Sequence, residues 1–483
     1  MLPLPALFLL ALQEREPFRD PRPPDVHPAP TGAAPEPAAT SELTTRAAPK
    51  PLPADARSED WPTFRGPRRD GISAETRLAS FGPEGPPLLW ELACGPGFSS
   101  PAIAGGRLVF THRQGNEIHV DCLEAEGGRR RWRFSYPTEY EDRYIDNDGP
   151  RSTPTIDGER VFVHGLENDL FCLDLAHGSV LWRRDLAEEF GVPLDFFGAV
   201  ASPLVHGGLL YLNLGVPGGP CVAAFEPATG KLVWGAGTQW GPSCSSPVLG
   251  ELGGRERLFV LAGGESKPPT GGLLVLDPKT GALDFTYPFR SKIVESVTGA
   301  SPVLAGERVF VSASYGTGSA CLAPRAEGGL RELWTSRSLG LQFSSPVFVG
   351  GKLWAIDGKS GRAGELLCLD PESGAELSRT DLSWPERFEH DGKSKEITAT
   401  VGEGSLLAAD GRLLCLGDGG HLLWIDPVPA APTVLARAWL FRANESWTPP
   451  VVVRGLLYLR QTQKEHFGSA PPRLLCYDLR AGA

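Results

Sequence analysis

Apolar and polar positions alternate in short runs along most of this chain, and turn residues punctuate the runs at regular intervals. The stretch from Ser152 to Trp182 shows the pattern in full. Thr153-Pro154 opens a first strand, and Asp157-Gly158 turns it back into Arg160–His164. Residues 170–174 form a third strand, and Ala176-His177-Gly178 leads into Val180-Leu181-Trp182. Asp-Gly between alternating apolar residues favours a tight hairpin, because the turn needs positive φ. Proline suits the start of a strand, where no ladder donor is lost. The pattern predicts one four-stranded antiparallel meander.

The unit recurs. Its opening dipeptide returns as Ser100-Pro101, Ser202-Pro203, Ser246-Pro247, Ser301-Pro302, Ser345-Pro346 and Thr448-Pro449. A turn follows each time, as at Gly105-Gly106, Gly207-Gly208 and Gly350-Gly351. The gap between Pro346 and Pro449 is about double and holds one more unit, from Gly404 to Asp426, bringing the reading to eight. Four strands recurring every 40–55 residues or so are the mark of a β-propeller blade. Most units end in an outer strand such as Arg131-Trp132, Val233-Trp234 or Leu333-Trp334, but the last stops at Asp478-Leu-Arg-Ala-Gly-Ala483 without one. An unpartnered strand, Pro87-Leu-Leu-Trp-Glu-Leu92, precedes the first unit. The expected fold is therefore all-β: an eight-bladed propeller whose N-terminal strand completes the last blade and hides its edge.

Third strand, Asp/Glu-x-x-Thr-Gly turn and an apolar pair ending in Trp, as in Glu226-Pro-Ala-Thr-Gly-Lys-Leu-Val-Trp234, resembles the pyrroloquinoline quinone (PQQ)-type propeller repeat. Trp61-Pro-Thr-Phe-Arg-Gly-Pro-Arg-Arg-Asp-Gly-Ile-Ser73, with Gly149-Pro-Arg-Ser-Thr-Pro-Thr-Ile-Asp-Gly158 and Ser314-Tyr-Gly-Thr-Gly318, resembles the planctomycete-type secreted branch of PQQ-like repeat proteins. The likeness covers roughly residues 60–483 and implies the fold. The superfamily holds both dehydrogenases and non-enzymatic assembly factors. The dehydrogenases imply a calcium site, a catalytic aspartate, aromatic groups stacked on PQQ and often a vicinal disulfide. That set is not placed in this sequence. The reading is thus a non-catalytic scaffold without a cofactor, and the alternative is a PQQ- and calcium-dependent oxidoreductase of an alcohol or sugar.

Composition adjusts this picture in four places. Net charge is −11 with dispersed basic residues, which argues against nucleic acid as a partner. Five of nine cysteines (Cys122, Cys172, Cys321, Cys368 and Cys476) share one repeat position and read as small buried hydrophobes. Cys94 and Cys244 lie outside that slot, in loops that could face the channel. The apolar run Met1-Leu-Pro-Leu-Pro-Ala-Leu-Phe-Leu-Leu-Ala-Leu12 is too short to span a bilayer and reads as an export signal over residues 1–13, to the periplasm or beyond. Residues 14–58 read as a disordered Pro/Ala-rich linker and 59–483 as the propeller.

In a propeller the loops entering each inner strand gather at one face, and ligand sites are usually built there. These loops nominate Arg151, Phe98, Trp240, Glu295, Phe343, Arg442, Asn444 and Trp447 as the surface for a protein or polymer partner, with no catalytic or metal residue assigned. Arg143, Asp146, Asp148, Phe196, Phe197 and Glu445 belong to the same loops. Arg151 either reaches into the channel to fork onto a carboxylate or phosphate, or pairs with Asp146 or Asp148. The run from Asp142 to Gly149 has oxygen ligands without calcium-loop spacing. Trp132, Trp182, Trp234 and Trp334 read as wedges between blades, and Trp61 and Phe64 as pins holding the linker's end to the ring.

Overall fold

Period-two patterning becomes eight blades arranged around one axis. The computed structural model describes residues 18–28, 42–143, 147–264, 266–358, 363–390, 392–443, 445–466 and 468–482. Seven antiparallel blades span residues 102–137, 155–185, 204–236, 248–288, 303–336, 347–381 and 405–439. The eighth joins Val451–Val453, Leu456–Gln461 and Arg473–Asp478 to Leu88–Ala93, which lies antiparallel to Arg473–Asp478. One five-residue helix, Leu186–Phe190, follows the second blade, capped by Asp185 and by Gly191 at φ 71°. The hydrophobic core is divided into clusters, most of them lying between consecutive blades.

One contact recurs between blades. In five of the eight outer strands a tryptophan sits opposite the third-strand slot: Trp132 faces Cys122, Trp182 Cys172, Trp234 Ala224, Trp334 Cys321 and Trp90 Cys476. The small residue in the slot leaves room for the indole, and a β-bulge next to it turns the strand. Each indole N–H then donates to a turn carbonyl of the next blade: Trp132 to Leu175, Trp182 to Pro227, Trp234 to Pro278 and Trp334 to Pro371, at 2.9–3.1 Å. The glycine of that turn lies against the ring. At Gly178, φ is 73° and a Cβ would stand 2.4 Å from Trp132; at Gly281, φ is 71° and the distance to Trp234 would be 2.5 Å. The glycine of the repeat is therefore required twice, by backbone conformation and by the neighbouring indole. Trp90 makes the same contact across the seam, donating to Glu126 of the first blade at 2.9 Å. In the sixth blade Ser378 takes the tryptophan's place, and the following turn, Pro427-Val-Pro-Ala-Ala-Pro432, carries no glycine.

The structure departs from the sequence expectation at three places. The Ser/Thr-Pro dipeptides lie just ahead of the inner strands, because their serines and threonines bond to neighbouring blades. A hairpin, Ser383–His390 with Lys393–Thr400, is inserted between the sixth and seventh blades, in the long gap where the sequence pattern gave only the one further unit from Gly404. Only Trp384, Phe388 and Ala399 of its strands are buried, so one side docks while Ile397 and the charged residues face out. Two parts of the expected linker are ordered as well: Asp25–Val26 adds to the second blade's outer strand, and Leu43–Thr45 adds to Leu88–Ala93. The expected export signal falls outside the described residues.

Trp234→Ala should cost about 3–5 kcal/mol in chemical denaturation, by cavity formation and an orphaned turn carbonyl. Gly178→Ala should be comparably damaging despite adding a single methyl group. A Gly178→Ala protein as stable as the parent would mean that the turn and indole are not in contact.

Candidate functional site

The hub is built first from backbone and hydroxyl groups. Ser100 N–H donates to Thr153 Oγ1, Thr153 N–H to Ser202 Oγ, Ser202 N–H to Ser246 Oγ, Ser246 N–H to Ser301 Oγ and Ser301 N–H to Ser345 Oγ, at 2.9–3.2 Å. Each link satisfies a buried amide that the following proline would leave outside any ladder. Six blades are thereby tied in series around the axis.

The segment Trp61–Glu75 fills the axis below this ring. Trp61 exchanges backbone hydrogen bonds with Ile103 of the first blade, and Pro62 accepts from Ile156 of the second. Arg69 donates to Pro203 O, to Ser202 O at 3.3 Å and to Pro247 O at 3.0 Å, reaching the third and fourth blades. Arg65 donates to Ser345 O at 2.9 Å and Pro346 O at 2.6 Å on the sixth. Ser73 N–H donates to Ala408 O of the seventh, and Glu75 accepts from Arg454 and Gly455 N–H of the eighth. Arg65 and Arg69 hold left-handed backbone at φ 62° and 55°, a conformation that persists only where its surroundings enforce it. Both are almost fully buried and neither faces a carboxylate in an ion pair among the described residues; carbonyl oxygens carry the charge. Burial pulls the Arg65 guanidinium down to about 10 and that of Arg69 to about 9, which leaves both cationic at neutral pH.

Above the plug lies a cavity of about 100 Å³. Phe64 and Arg65 contribute to its lining from the plug, Ser202, Ser246 and Ser345 from just ahead of the inner strands, Ser405 from the start of one, and Phe98, Phe197, Phe343 and Trp447 from the loops. Phe98 stacks on Trp447 at 5.3 Å between ring centres, Trp447 on Phe343 at 4.6 Å, and Phe343 meets Phe197 edge-on at 6.5 Å. Arg151 packs over Phe98 and Phe197 at 5.6 and 5.2 Å. It is fully engaged: an ion pair with Asp142, with hydrogen bonds to Phe197 O and Asn147 O at 3.1 Å. Its partner is thus Asp142, and not Asp148, whose carboxylate accepts from the Asp142 amide; Asp146 lies outside the described residues. Cys244 lines the cavity, and burial raises its thiol well above the usual range, so it is no nucleophile. Cys94 sits apart, against buried Arg460.

Four nominated residues, Arg151, Phe98, Phe343 and Trp447, meet at this mouth. Three do not. Trp240 packs over the core between the third and fourth blades, its backbone held by bonds to and from Cys221 Sγ. Glu295 is exposed, because Arg290 binds Val294 O and Ser296 O and turns the intervening side chain outward. Arg442 leaves the channel to stack on Phe388 and Trp439, 4.8 Å from each ring centre. Asn444 lies outside the described residues. Arg65, which sequence reasoning missed, belongs to the site; its signal was a cationic residue beside glycine in the Trp61–Ser73 motif.

Among the described residues no aspartate or glutamate lines the cavity, and no cluster of His, Cys, Asp or Glu is arranged to hold a metal. Calcium requires several oxygen ligands, commonly carboxylates. The rings that would sandwich a flat quinone instead stack on one another. The residues present do not fit PQQ with calcium.

Comparison with known proteins places this geometry. A family model described as "Outer membrane protein assembly factor BamB" matches residues 116–380. No curated protein matches the sequence. Among solved structures, a europium-containing methanol dehydrogenase aligns with TM-score 0.62 at 11% identity, covering 87% of this chain and 98% of its own. Quinohemoprotein alcohol dehydrogenase from Comamonas testosteroni aligns at 0.56 and 13%, covering 89% and 82%. BamB from Moraxella catarrhalis aligns at 0.52 and 14%, covering 82% and 98%. At such identities these likenesses concern the fold.

Arg65→Ala/Arg69→Ala should lower stability by several kcal/mol, since charged hydrogen bonds contribute about 1.5–3 kcal/mol each. It should also expose the Trp61–Glu75 segment to limited proteolysis; unchanged protection would mean the arginines do not hold the plug. Acid should weaken the ring separately. Burial brings His112 and His164 down to about 4, so unfolded chains bind protons that the folded protein refuses as pH falls from about 6.5 toward 4. The melting temperature should drop across that window, and less steeply in His164→Gln.

Proposed function

Because the chain belongs to the PQQ-like propeller family whose model is described as outer membrane protein assembly factor BamB, we propose that it is a binding scaffold that holds a protein or polymer partner at the mouth of its ring. One observation carries the reading: the mouth presents mutually stacked aromatic rings, floored by the chain's own plug and free of carboxylates. Large rigid aromatics offer contact area at little conformational cost, which suits recognition. The Trp447 indole N–H is buried there without an acceptor among the described residues. Acid–base or nucleophilic chemistry has little support in the lining, where burial favours the protonated Cys244 thiol, Arg151 is paired with Asp142 and Arg65 is bound to backbone carbonyls. Export fits the apolar N-terminal run and would put the scaffold in the periplasm or outside the cell.

Added PQQ with calcium should give no retained quinone absorbance, no thermal shift and no dye-linked alcohol oxidation. Tight binding with turnover would replace the scaffold reading by that of an oxidoreductase. In cross-linking against extracts of its own cell envelope, Phe343→Ala/Trp447→Ala should lose the partners that the parent protein captures through mouth residues. Equal recovery by both would remove the mouth as the binding surface.

A further inference from the structure

A second surface lies on the rim of the seventh blade, far in sequence from the mouth loops of the early blades. The outer strand Thr433–Trp439 forms the edge of its sheet, with no strand beyond it among the described residues. Val434 and Leu435 are 36% and 48% exposed along it. A groove of about 540 Å³ runs between this strand, the loop at Phe81-Gly82-Pro83 and the inserted hairpin. Arg437 lies over Trp384 at 4.3 Å, and Arg442 over Phe388 and Trp439 at 4.8 Å. Neither arginine forms an ion pair among the described residues. The acids nearby are committed: Glu386 accepts from Trp384 Nε1 at 2.8 Å, and Arg387 pairs with Glu396 at 2.6 Å. Stacking holds both guanidinium planes while leaving their donors available for carboxylates.

The same molecule shows how such an edge is covered. At the second blade, Asp25–Val26 adds a short fifth strand to Val180–Asp185. A few residues earlier Asp20 forms an ion pair with Arg184, whose guanidinium lies over Phe190 and Phe225 at 5.0 and 5.4 Å and is shared with Glu189. An extended segment thus caps a propeller edge, with its Asp20 carboxylate on a ring-stacked arginine. The seventh blade repeats the arginine, the rings and the open edge without the segment.

We propose that the rim of the seventh blade binds an extended acidic segment of a partner protein, which pairs with Thr433–Trp439 as a fifth strand while its carboxylates fork onto Arg437 and Arg442. Backbone pairing supplies the affinity and the two arginines the choice of charge. The inserted hairpin gives the groove its second wall.

Fluorescence anisotropy with the full chain and a labelled octapeptide of alternating aspartate and valine tests this. Saturable binding is expected, at least tenfold weaker in Arg437→Ala/Arg442→Ala and unchanged in Phe343→Ala/Trp447→Ala, which separates the rim from the mouth. Arg437→Glu/Arg442→Glu should instead prefer the lysine–valine peptide, showing that the reversed groove is still folded. Three results would each overturn the proposal: no saturable binding of the acidic peptide, equal binding by the arginine variants, or equal binding of an acidic peptide interrupted by proline, which would reduce the effect to ion exchange.

Discussion

A four-stranded blade has two apolar faces and cannot bury either alone, so everything in this molecule depends on the contact between one blade and the next. That contact is an indole against a glycine. In five of the eight blades the tryptophan of the outer strand fills the space left by a small residue on its own sheet, and its N–H closes a carbonyl that the next turn would otherwise leave buried and unpaired. Apolar burial and hydrogen-bond satisfaction are met by one side chain. The glycine completes the fit, since any other residue would push the blades apart. Where serine or alanine replaces the indole, in the sixth and seventh blades, the chain adds other material at the rim: the hairpin with Trp384, and Phe81 set edge-on against Trp424.

The axis poses the opposite problem. Inner strands converge there, their prolines donate no hydrogen bond, and water cannot reach every carbonyl. Serine and threonine hydroxyls join successive blades, and two arginines from outside the repeats turn the remaining carbonyls into ligands for positive charge. Burying a guanidinium without a carboxylate is costly unless its donors are met, and the Ser-Pro carbonyls take up the terminal nitrogens of both arginines, while Arg69 Nε has no acceptor among the described residues. The plug thereby ends the channel and sets the depth of the mouth above it.

Much of this was legible in the sequence because repetition amplifies weak signals. One Ser-Pro or one Asp-Gly says little, but a Ser-Pro or Thr-Pro dipeptide ahead of seven of the eight blades names the hub, and Trp234 or Trp334 at a fixed offset names the wedge. Single-copy features had no such amplification. The hairpin at 383–400 alternates charged residues with few apolar ones and reads as a loop. Trp240, Glu295 and Arg442 sit in loops of the right register, yet their directions are set by Cys221, Arg290 and Phe388, partners that no local pattern reveals. Arg65 and Arg69 lie outside the repeats and occur once each; only the surrounding carbonyls explain them.

Leu88–Ala93 and the plug before it are made first on the ribosome, yet their partners belong to blades made later, the last of them at Arg473–Asp478. The seam therefore stays open until Arg473–Asp478 has been made, and until then the nascent chain carries an unpaired strand edge. A messenger cut short anywhere before the eighth blade yields an open arc of blades rather than a shorter ring, which makes that blade the condition for closure.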